Sequence, residues 1–102
     1  MAKSWRNTSD YRNWRKAVLE RDGHKCVITG ATTKLHAHHL NHSTYFPDER
    51  FDVENGVTVT SVFHLIFHII FMRGYRKKCT VKDWERMVRF IKYFKIASKL
   101  FK

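Results

Sequence analysis

The segments HAHH at 36–39, NG at 55–56 and HLIFH at 64–68 determine how this chain is organised. His64 and His68 are four residues apart within an otherwise apolar run. At this spacing two side chains lie on the same face of a helix, so both imidazoles can reach one ion. A histidine from the upstream pair could complete a site of nitrogen ligands that leaves positions open for water and substrate. The sequence therefore predicts a metal site assembled from separate parts of the chain.

Short elements are predicted around these histidines. Residues 34–40 alternate between apolar residues and histidines, which is typical of a strand, and residues 57–60 predict a second short strand. Residues 24–28 form a further short run, beside which residues 34–40 can return as a hairpin. We expect a buried helix from the N-cap Ser61 to about Arg73, because the run is apolar apart from its two histidines.

A helix is also predicted near each end of the chain. The first begins with Thr8 or Ser9 as its N-cap and stops at Gly23. The last follows a partial capping arrangement of Thr80 and Asp83 and runs towards Lys102. The residues predicted to face the core are Tyr11, Trp14, Val18 and Leu19 in the first helix and Trp84, Met87, Phe90, Ile91, Phe94, Ala97 and Phe101 in the last.

Basic residues occupy the outward faces of these two helices. They are Arg12, Arg15 and Lys16 in the first helix and Lys82, Arg86, Arg89, Lys92, Lys95 and Lys99 in the last. Those of the first helix could contact phosphates or could form a solvated face. The stripe on the last helix could contact a DNA backbone, lie on a membrane surface, contact a protein partner or remain solvated. We favour DNA because this agrees with the charge of the whole chain.

The composition indicates one domain that binds a polyanion. The chain has 102 residues, with 20 basic and 9 acidic side chains, a formal net charge of +11 and a pI near 10.1. For a domain of this size, nucleic acid is the first candidate partner. No apolar run reaches the ~18 residues of a membrane span, and the N-terminus lacks an apolar signal region. Two cysteines are too few for a disulfide scaffold, so a cytoplasmic location is expected.

The order His38-His39, then Asn55, then His64-x-x-x-His68 resembles the HNH nucleases, whose catalytic unit is the ββα-metal motif. The likeness covers roughly residues 14–74 and is nearest to small phage-type members. It implies an α+β single domain with a basic N-terminal arm (1–8), an HNH core (9–74) and a C-terminal basic amphipathic helix (75–102) packed on that core. The matching positions outside the histidines include Trp14-Arg15, Arg21-Asp22-Gly23, Cys26, Thr29-Gly30, Leu35-His36-Ala37, Arg50-Phe51-Asp52-Val53-Glu54 and Gly56.

The resemblance also implies a role for each motif residue. His38 would be the first metal ligand and His39 the general base that activates water. His64 and His68 would complete the ligand set, and Asn55 would hold the loop and hairpin that orient His39. The implied activity is that of a metal-dependent DNA endonuclease, which nicks or cuts duplex DNA and leaves 5′-phosphate and 3′-hydroxyl ends. One divalent ion is expected: Mg or Mn by resemblance, although three imidazoles suit Zn or Ni better.

The resemblance extends to partners and biological setting. Double-stranded DNA is the expected partner, and a homodimer or a phage protein partner is compatible with it. If the chain is phage-encoded, it would act in the host cytoplasm. Phage-type members of the family that it resembles include homing enzymes and packaging-associated nickases. The residues expected to contact DNA are Arg12, Arg15, Lys16, Arg50, Arg86, Arg89 and Lys92.

Two alternatives remain open on sequence grounds. Strict strand alternation would place His38 and His39 on opposite faces, and His36 on the face of His38, unless the strand ends or bulges there. His36 would then be a rival base or a ligand itself. The second alternative concerns function: many HNH relatives carry Cys-x-x-Cys pairs, which this chain lacks. Cys26 and some of the histidines could instead hold a structural zinc in a non-catalytic nucleic-acid-binding module.

Overall fold

The computed structural model of the protein describes residues 4–74 and 78–100, without the side chains of Phe71 and of residues 94–100. The fold is α+β, as predicted, with a two-stranded antiparallel sheet and helices around it. Short 3-10 turns occur at Trp5–Asn7, Pro47–Glu49 and Val53–Asn55. The regular elements are α1 (Ser9–Arg21), β1 (Leu35–His39), β2 (Gly56–Thr60), α2 (Ser61–Ile66), which continues as a π-helical turn (Phe67–Phe71), and α3 (Val81–Leu100).

The sheet pairs β1 with β2, and α2 follows β2 without a loop. The register places His38 opposite Val57 and His36 opposite Val59. The Thr60 hydroxyl accepts a hydrogen bond from the Phe63 amide at 3.2 Å, so Thr60 is the N-cap rather than Ser61. This arrangement sets the histidines of α2 against the face of β1 that carries His38.

The strand predicted at residues 24–28 does not form. The Cys26 amide donates to the Ala31 carbonyl, and the Gly30 amide donates back to the Cys26 carbonyl, both at 2.8 Å, so the chain turns here. The Val27 amide reaches the sheet, where it donates to the Thr58 carbonyl. Cys26 is buried all the same, so this run contributes to the core from a turn, while β1 pairs with β2, which carries the buried Val57 and Val59.

Helix α1 packs against the start of β2, and this contact explains Gly56. Thr8 caps the helix through its side chain, and Trp14 and Val18 are buried as predicted. A Cβ at position 56 would lie 2.5 Å from Val18 Cγ2 and 2.7 Å from Trp14 Cζ2. Glycine is therefore required here by the close approach of the helix.

Helix α3 begins at the predicted cap and packs on the core by its first turns. The Thr80 amide donates to Asp83 Oδ2 at 2.9 Å. Trp84 and Met87 are buried, but Phe90 is 55% exposed and does not belong to the core face as predicted. The predictions for Phe94, Ala97 and Phe101 lie outside the described side chains. Within the described residues, no helix is both long and apolar enough to cross a membrane.

The remaining differences from the predicted elements lie at the N-terminus and in α2. The predicted burial of α2 is wrong, because four apolar side chains of α2 and the π-turn are 48–66% exposed: Val62, Leu65, Ile69 and Ile70. The segment from Ser4 to Thr8, predicted as an arm, forms a turn whose Trp5 ring lies 5.5 Å from Tyr11 and 6.1 Å from Phe51. The α-helical part of α2 ends at Ile66 instead of about Arg73, and the chain continues as the π-turn.

Candidate metal centre

The fold brings His38, His64 and His68 together at one point. Each offers one ring nitrogen, and the three nitrogens lie within 4.8 Å of one another. The ring centroids are 5.3 Å apart for His38 and His64, 5.3 Å for His38 and His68, and 4.6 Å for His64 and His68. The three histidines are therefore close enough to bind a metal ion. We call this group the histidine centre.

The environment of His38 fits a metal ligand. The residue is 1% exposed, and its ring packs against Phe67 at 4.7 Å and Trp84 at 5.2 Å. Its Nε2 is buried without a hydrogen-bond partner. A buried polar atom in this state is costly unless something occupies its lone pair. Burial, reinforced by the neighbouring histidines, lowers the pKa of His38 well below its usual range, which keeps the ring in the neutral form that binds metals.

The other two histidines of the centre are also held in the neutral form. Burial, together with the nearby His68 and His36, lowers the pKa of His64 to about 4. Burial and the nearby His42 lower the pKa of His68 to about 4 as well. His68 lies in the π-turn, whereas His64 lies in the α-helical part of α2. Single π-helical turns inside helices occur frequently at functional sites, where they change the direction of side chains.

His39, the predicted base, lies on the other face of β1 from His38. β1 does not bulge but ends at His39, and this side chain still lines the same cavity as the histidine centre. Its ring stacks on Trp14, with centroids 4.0 Å apart and an interplanar angle of 8°. Its Nε2 donates a hydrogen bond to the Arg50 carbonyl at 2.9 Å. Because a carbonyl oxygen can only accept, the neutral ring carries its proton on Nε2 and leaves Nδ1 unprotonated.

The charge state of His39 follows from its surroundings. Burial lowers its pKa to about 4, and the positive charges of Arg6 and Arg50 act in the same direction. The hydrogen bond to the Arg50 carbonyl opposes this shift in part. His39 is therefore neutral near pH 7, which is the form that can accept a proton.

His36, the rival to His39 on sequence grounds, lies at the rim of the centre. It is exposed, on the same strand face as His38, and its ring stacks on His64 with centroids 5.3 Å apart. It does not belong to the group of three whose nitrogens converge.

Asn55 holds the loop that follows β1, as its expected role requires. Asn55 is only 6% exposed, and its side chain makes three hydrogen bonds. Oδ1 accepts from the Asn41 amide at 2.8 Å, while Nδ2 donates to the carbonyls of Asn41 at 3.1 Å and Glu49 at 3.2 Å. Glu49 precedes Arg50, whose carbonyl holds His39. Asn55 is thus linked to His39, the predicted base, through the carbonyls of the neighbouring residues Glu49 and Arg50.

Asn41 is a structural residue that the sequence reasoning missed. Besides its bonds to Asn55, its Nδ2 donates to Glu49 Oε2 at 3.1 Å, and its Oδ1 accepts from the Val81 amide at 3.0 Å. It therefore joins the loop to the first residue of α3. An asparagine after a strand is a common turn residue, so nothing in the sequence distinguished it.

One cavity of about 500 Å³ contains the histidine centre, His39 and His36. No Asp or Glu occurs among the described residues that line it, so its fixed charge is positive. The lining residues that were not anticipated from the sequence as parts of the site include Trp5, Arg6, Tyr11 and Tyr45.

None of the seven residues expected to contact DNA lines this cavity. Arg50 is engaged within the protein, because its guanidinium donates twice to the Ser43 carbonyl and lies 4.6 Å from the Trp5 ring centroid. The other six are exposed, on α1 (Arg12, Arg15, Lys16) and α3 (Arg86, Arg89, Lys92). Their surface contacts, such as Lys16 with Glu20 at 4.0 Å, are too weak to prevent phosphate binding.

The cysteines do not join the histidine centre. Cys26 is buried in the core with Val59 and Met87. Cys79 lines the cavity, and burial raises the pKa of its thiol to about 11, which disfavours the thiolate that metals bind. In the described part of the chain, the group that could hold a metal ion consists of histidines alone.

Comparison with family models, with curated proteins and with solved structures gives no match to this chain.

Proposed function

We propose that this protein is a metal-dependent DNA endonuclease of the HNH type. The observation that carries the proposal is the convergence of three imidazoles in one cavity with a fourth, neutral imidazole, that of His39. The bonds of Asn55 to the loop before Arg50 add support, because they correspond to the role expected for this residue.

His39 acts as the general base in this proposal. Its Nδ1 accepts a proton from the attacking water, while Nε2 remains bound to the Arg50 carbonyl. Stacking on Trp14 fixes the plane of the ring, so the direction of Nδ1 is set before substrate arrives.

His38, His64 and His68 would hold one divalent ion. Such an ion supplies Lewis-acid stabilisation of the charge on the phosphate and the leaving oxygen. A donor set of imidazoles without carboxylates suits Zn or Ni better than Mg. We therefore expect the tightest binding for Zn or Ni, with Mg and Mn, the ions implied by resemblance, binding more weakly.

The substrate proposed is DNA, because the charge of the chain and of its cavity attracts phosphates. The net charge is +11, and exposed basic residues lie on α1 and α3. Binding should weaken steeply with salt, with a logarithmic slope of about −0.9 for each phosphate neutralised on duplex DNA.

The test is relaxation of a supercoiled plasmid with Mg, Mn, Zn or Ni, combined with measurement of the metal content. His39→Gln should abolish cleavage while retaining metal and DNA binding. The matched control is His24→Gln, because His24 is exposed and does not line the cavity. Religation of the products by DNA ligase would verify 5′-phosphate and 3′-hydroxyl ends.

Two results would contradict the proposal. One is a folded, metal-loaded wild type that leaves the plasmid intact in all four metals, which would favour the non-catalytic module. The other is a His39→Gln variant that cuts as fast as wild type, which would exclude His39 as the base.

A further inference from the structure

We propose that the cavity beside the histidine centre binds an unpaired nucleobase, so that the preferred substrate carries an unpaired nucleotide next to the scissile phosphate. This inference rests on the proposed function and names its substrate class more closely. It follows from the aromatic walls of the cavity, the exposure of the Tyr45 ring and the volume, none of which a site for duplex phosphates alone would need, and it agrees with the positive charge of the lining.

Tyr45 provides the first aromatic wall. Its ring is 50% exposed although it lines the cavity. The turn that carries it is well held, because the amides of Tyr45 and Phe46 both donate to the His42 carbonyl, at 3.1 and 3.0 Å. The ring also packs edge-on against His42, with centroids 5.2 Å apart. A large aromatic side chain that stays half in solvent on a fixed turn is suited to stacking with a ligand.

Trp5 provides the second wall, on the side of His39. Its ring packs edge-on against His39 at 5.5 Å and Phe51 at 6.1 Å, which fixes its position in the cavity. The exposed guanidinium of Arg6 lies 4.2 Å from the Trp5 ring centroid and also lines the cavity. Aromatic rings next to an arginine form the combination by which proteins bind bases and the phosphates between them in single strands.

Volume and charge agree with this ligand. About 500 Å³ is within the range of roughly 300–1,000 Å³ that small-molecule sites occupy. A phosphate that approaches along the surface would leave this space empty, whereas a nucleoside fits within it. A paired base cannot enter without leaving its stack, and this costs least for a base that is already unpaired. The absence of carboxylates among the described lining residues removes the repulsion that would oppose the flanking phosphates.

The experiment compares the affinities of three DNA hairpins that differ at one nucleotide. The first is fully paired, the second carries one bulged nucleotide, and the third carries the same bulge as an abasic nucleotide. Binding of the full chain is measured by fluorescence anisotropy with EDTA present, so that no strand is cut, and is repeated with metal-loaded His39→Gln. We expect the bulged hairpin to bind about tenfold more tightly than the other two.

Tyr45→Leu should reduce the preference for the bulge to about twofold or less. Tyr93→Leu is the matched control, because Tyr93 is 71% exposed on α3 and does not line the cavity. Trp5→Leu should have the same effect as Tyr45→Leu, and Trp5→Phe should retain most of the preference. Circular dichroism would verify that each variant is folded.

Equal affinity of the wild type for the three hairpins would overturn the inference, as would equal losses for Tyr45→Leu and Tyr93→Leu. Both outcomes can be distinguished from a negative result in the plasmid assay, because they concern DNA affinity and not cleavage. Cleavage without a preference for the bulge removes this inference alone, whereas a preference without cleavage removes the proposed nuclease and leaves the base-binding cavity in place.

Discussion

Asn55→Asp gives a demanding test of the link between the loop and the predicted base. The substitution keeps the shape of the side chain and its bond to the Asn41 amide, but removes both Nδ2 donors. A carboxylate oxygen would then face the carbonyls of Asn41 and Glu49, which now accept at 3.1 and 3.2 Å. Leaving two partly buried carbonyls without a donor should cost about 2–4 kcal/mol of unfolding free energy. In a domain of this size, that corresponds to a melting temperature roughly 10–25 °C lower.

Urea unfolding followed by far-UV circular dichroism at pH 7, without metal, measures this loss. Asn13→Asp, on the exposed face of α1, is the control and should stay within about 0.5 kcal/mol of wild type. Where Asn55→Asp is still folded, cleavage should fall by about 100-fold because His39 is no longer oriented, while metal affinity stays nearly unchanged. An Asn55→Asp variant as stable and as active as wild type would refute this reasoning.

The other predictions concern packing, pH and the ligand set. Gly56→Ala should lower the unfolding free energy by about 1–3 kcal/mol through overpacking, and Val18→Ala should relieve part of this in the double mutant; additive losses would exclude the contact. In the metal-free protein, four histidines have lowered pKa values, so the unfolded chain binds more protons than the folded one. The stability that these four histidines contribute is fully present above pH ~6.5 and is lost as the pH falls towards 4. The loss is at most about 1.4 kcal/mol of unfolding free energy per pH unit for each histidine. Equal unfolding midpoints in urea at pH 7 and pH 4.5 would contradict this. By isothermal titration calorimetry, His68→Ala should weaken Zn binding by at least about 100-fold and His36→Ala by less than about tenfold; equal effects would place His36 in the ligand set.

The sequence predicted those parts of the fold and site that depend on local pattern. His64 and His68, four residues apart, were predicted to reach one point, and Thr80 and Asp83 were predicted to cap α3. Both predictions depend on short segments, and both are confirmed. The buried face of α1, with Trp14 and Val18, followed from helical periodicity and is also confirmed.

The parts that sequence reasoning missed depend on distant contacts. Residues 24–28 have the length of a strand, but hydrogen bonds from Cys26 to Ala31 and from Gly30 to Cys26 hold them in a turn, and β1 pairs with β2 instead. The place of Trp5 in the cavity arises because the N-terminal turn folds back onto Phe51, which no local pattern encodes. The same holds for Asn41, which joins three segments through hydrogen bonds.

The alternation of β1 also explains how the histidine pair is used. His38 and His39 lie on opposite faces, as the period of a strand requires, yet both line the cavity because the strand ends at His39. No bulge in β1 is therefore needed for His38 to lie in the histidine centre and for His39 to lie beside it.

The most direct test of the central claim is X-ray absorption spectroscopy of the Zn-loaded protein at the zinc edge, which identifies the ligand atoms. We predict three imidazole nitrogens at about 2.0–2.1 Å, with the remaining coordination by oxygen and no sulfur. Sulfur at about 2.3 Å would indicate a cysteine ligand and a structural zinc, and would contradict the open three-histidine centre.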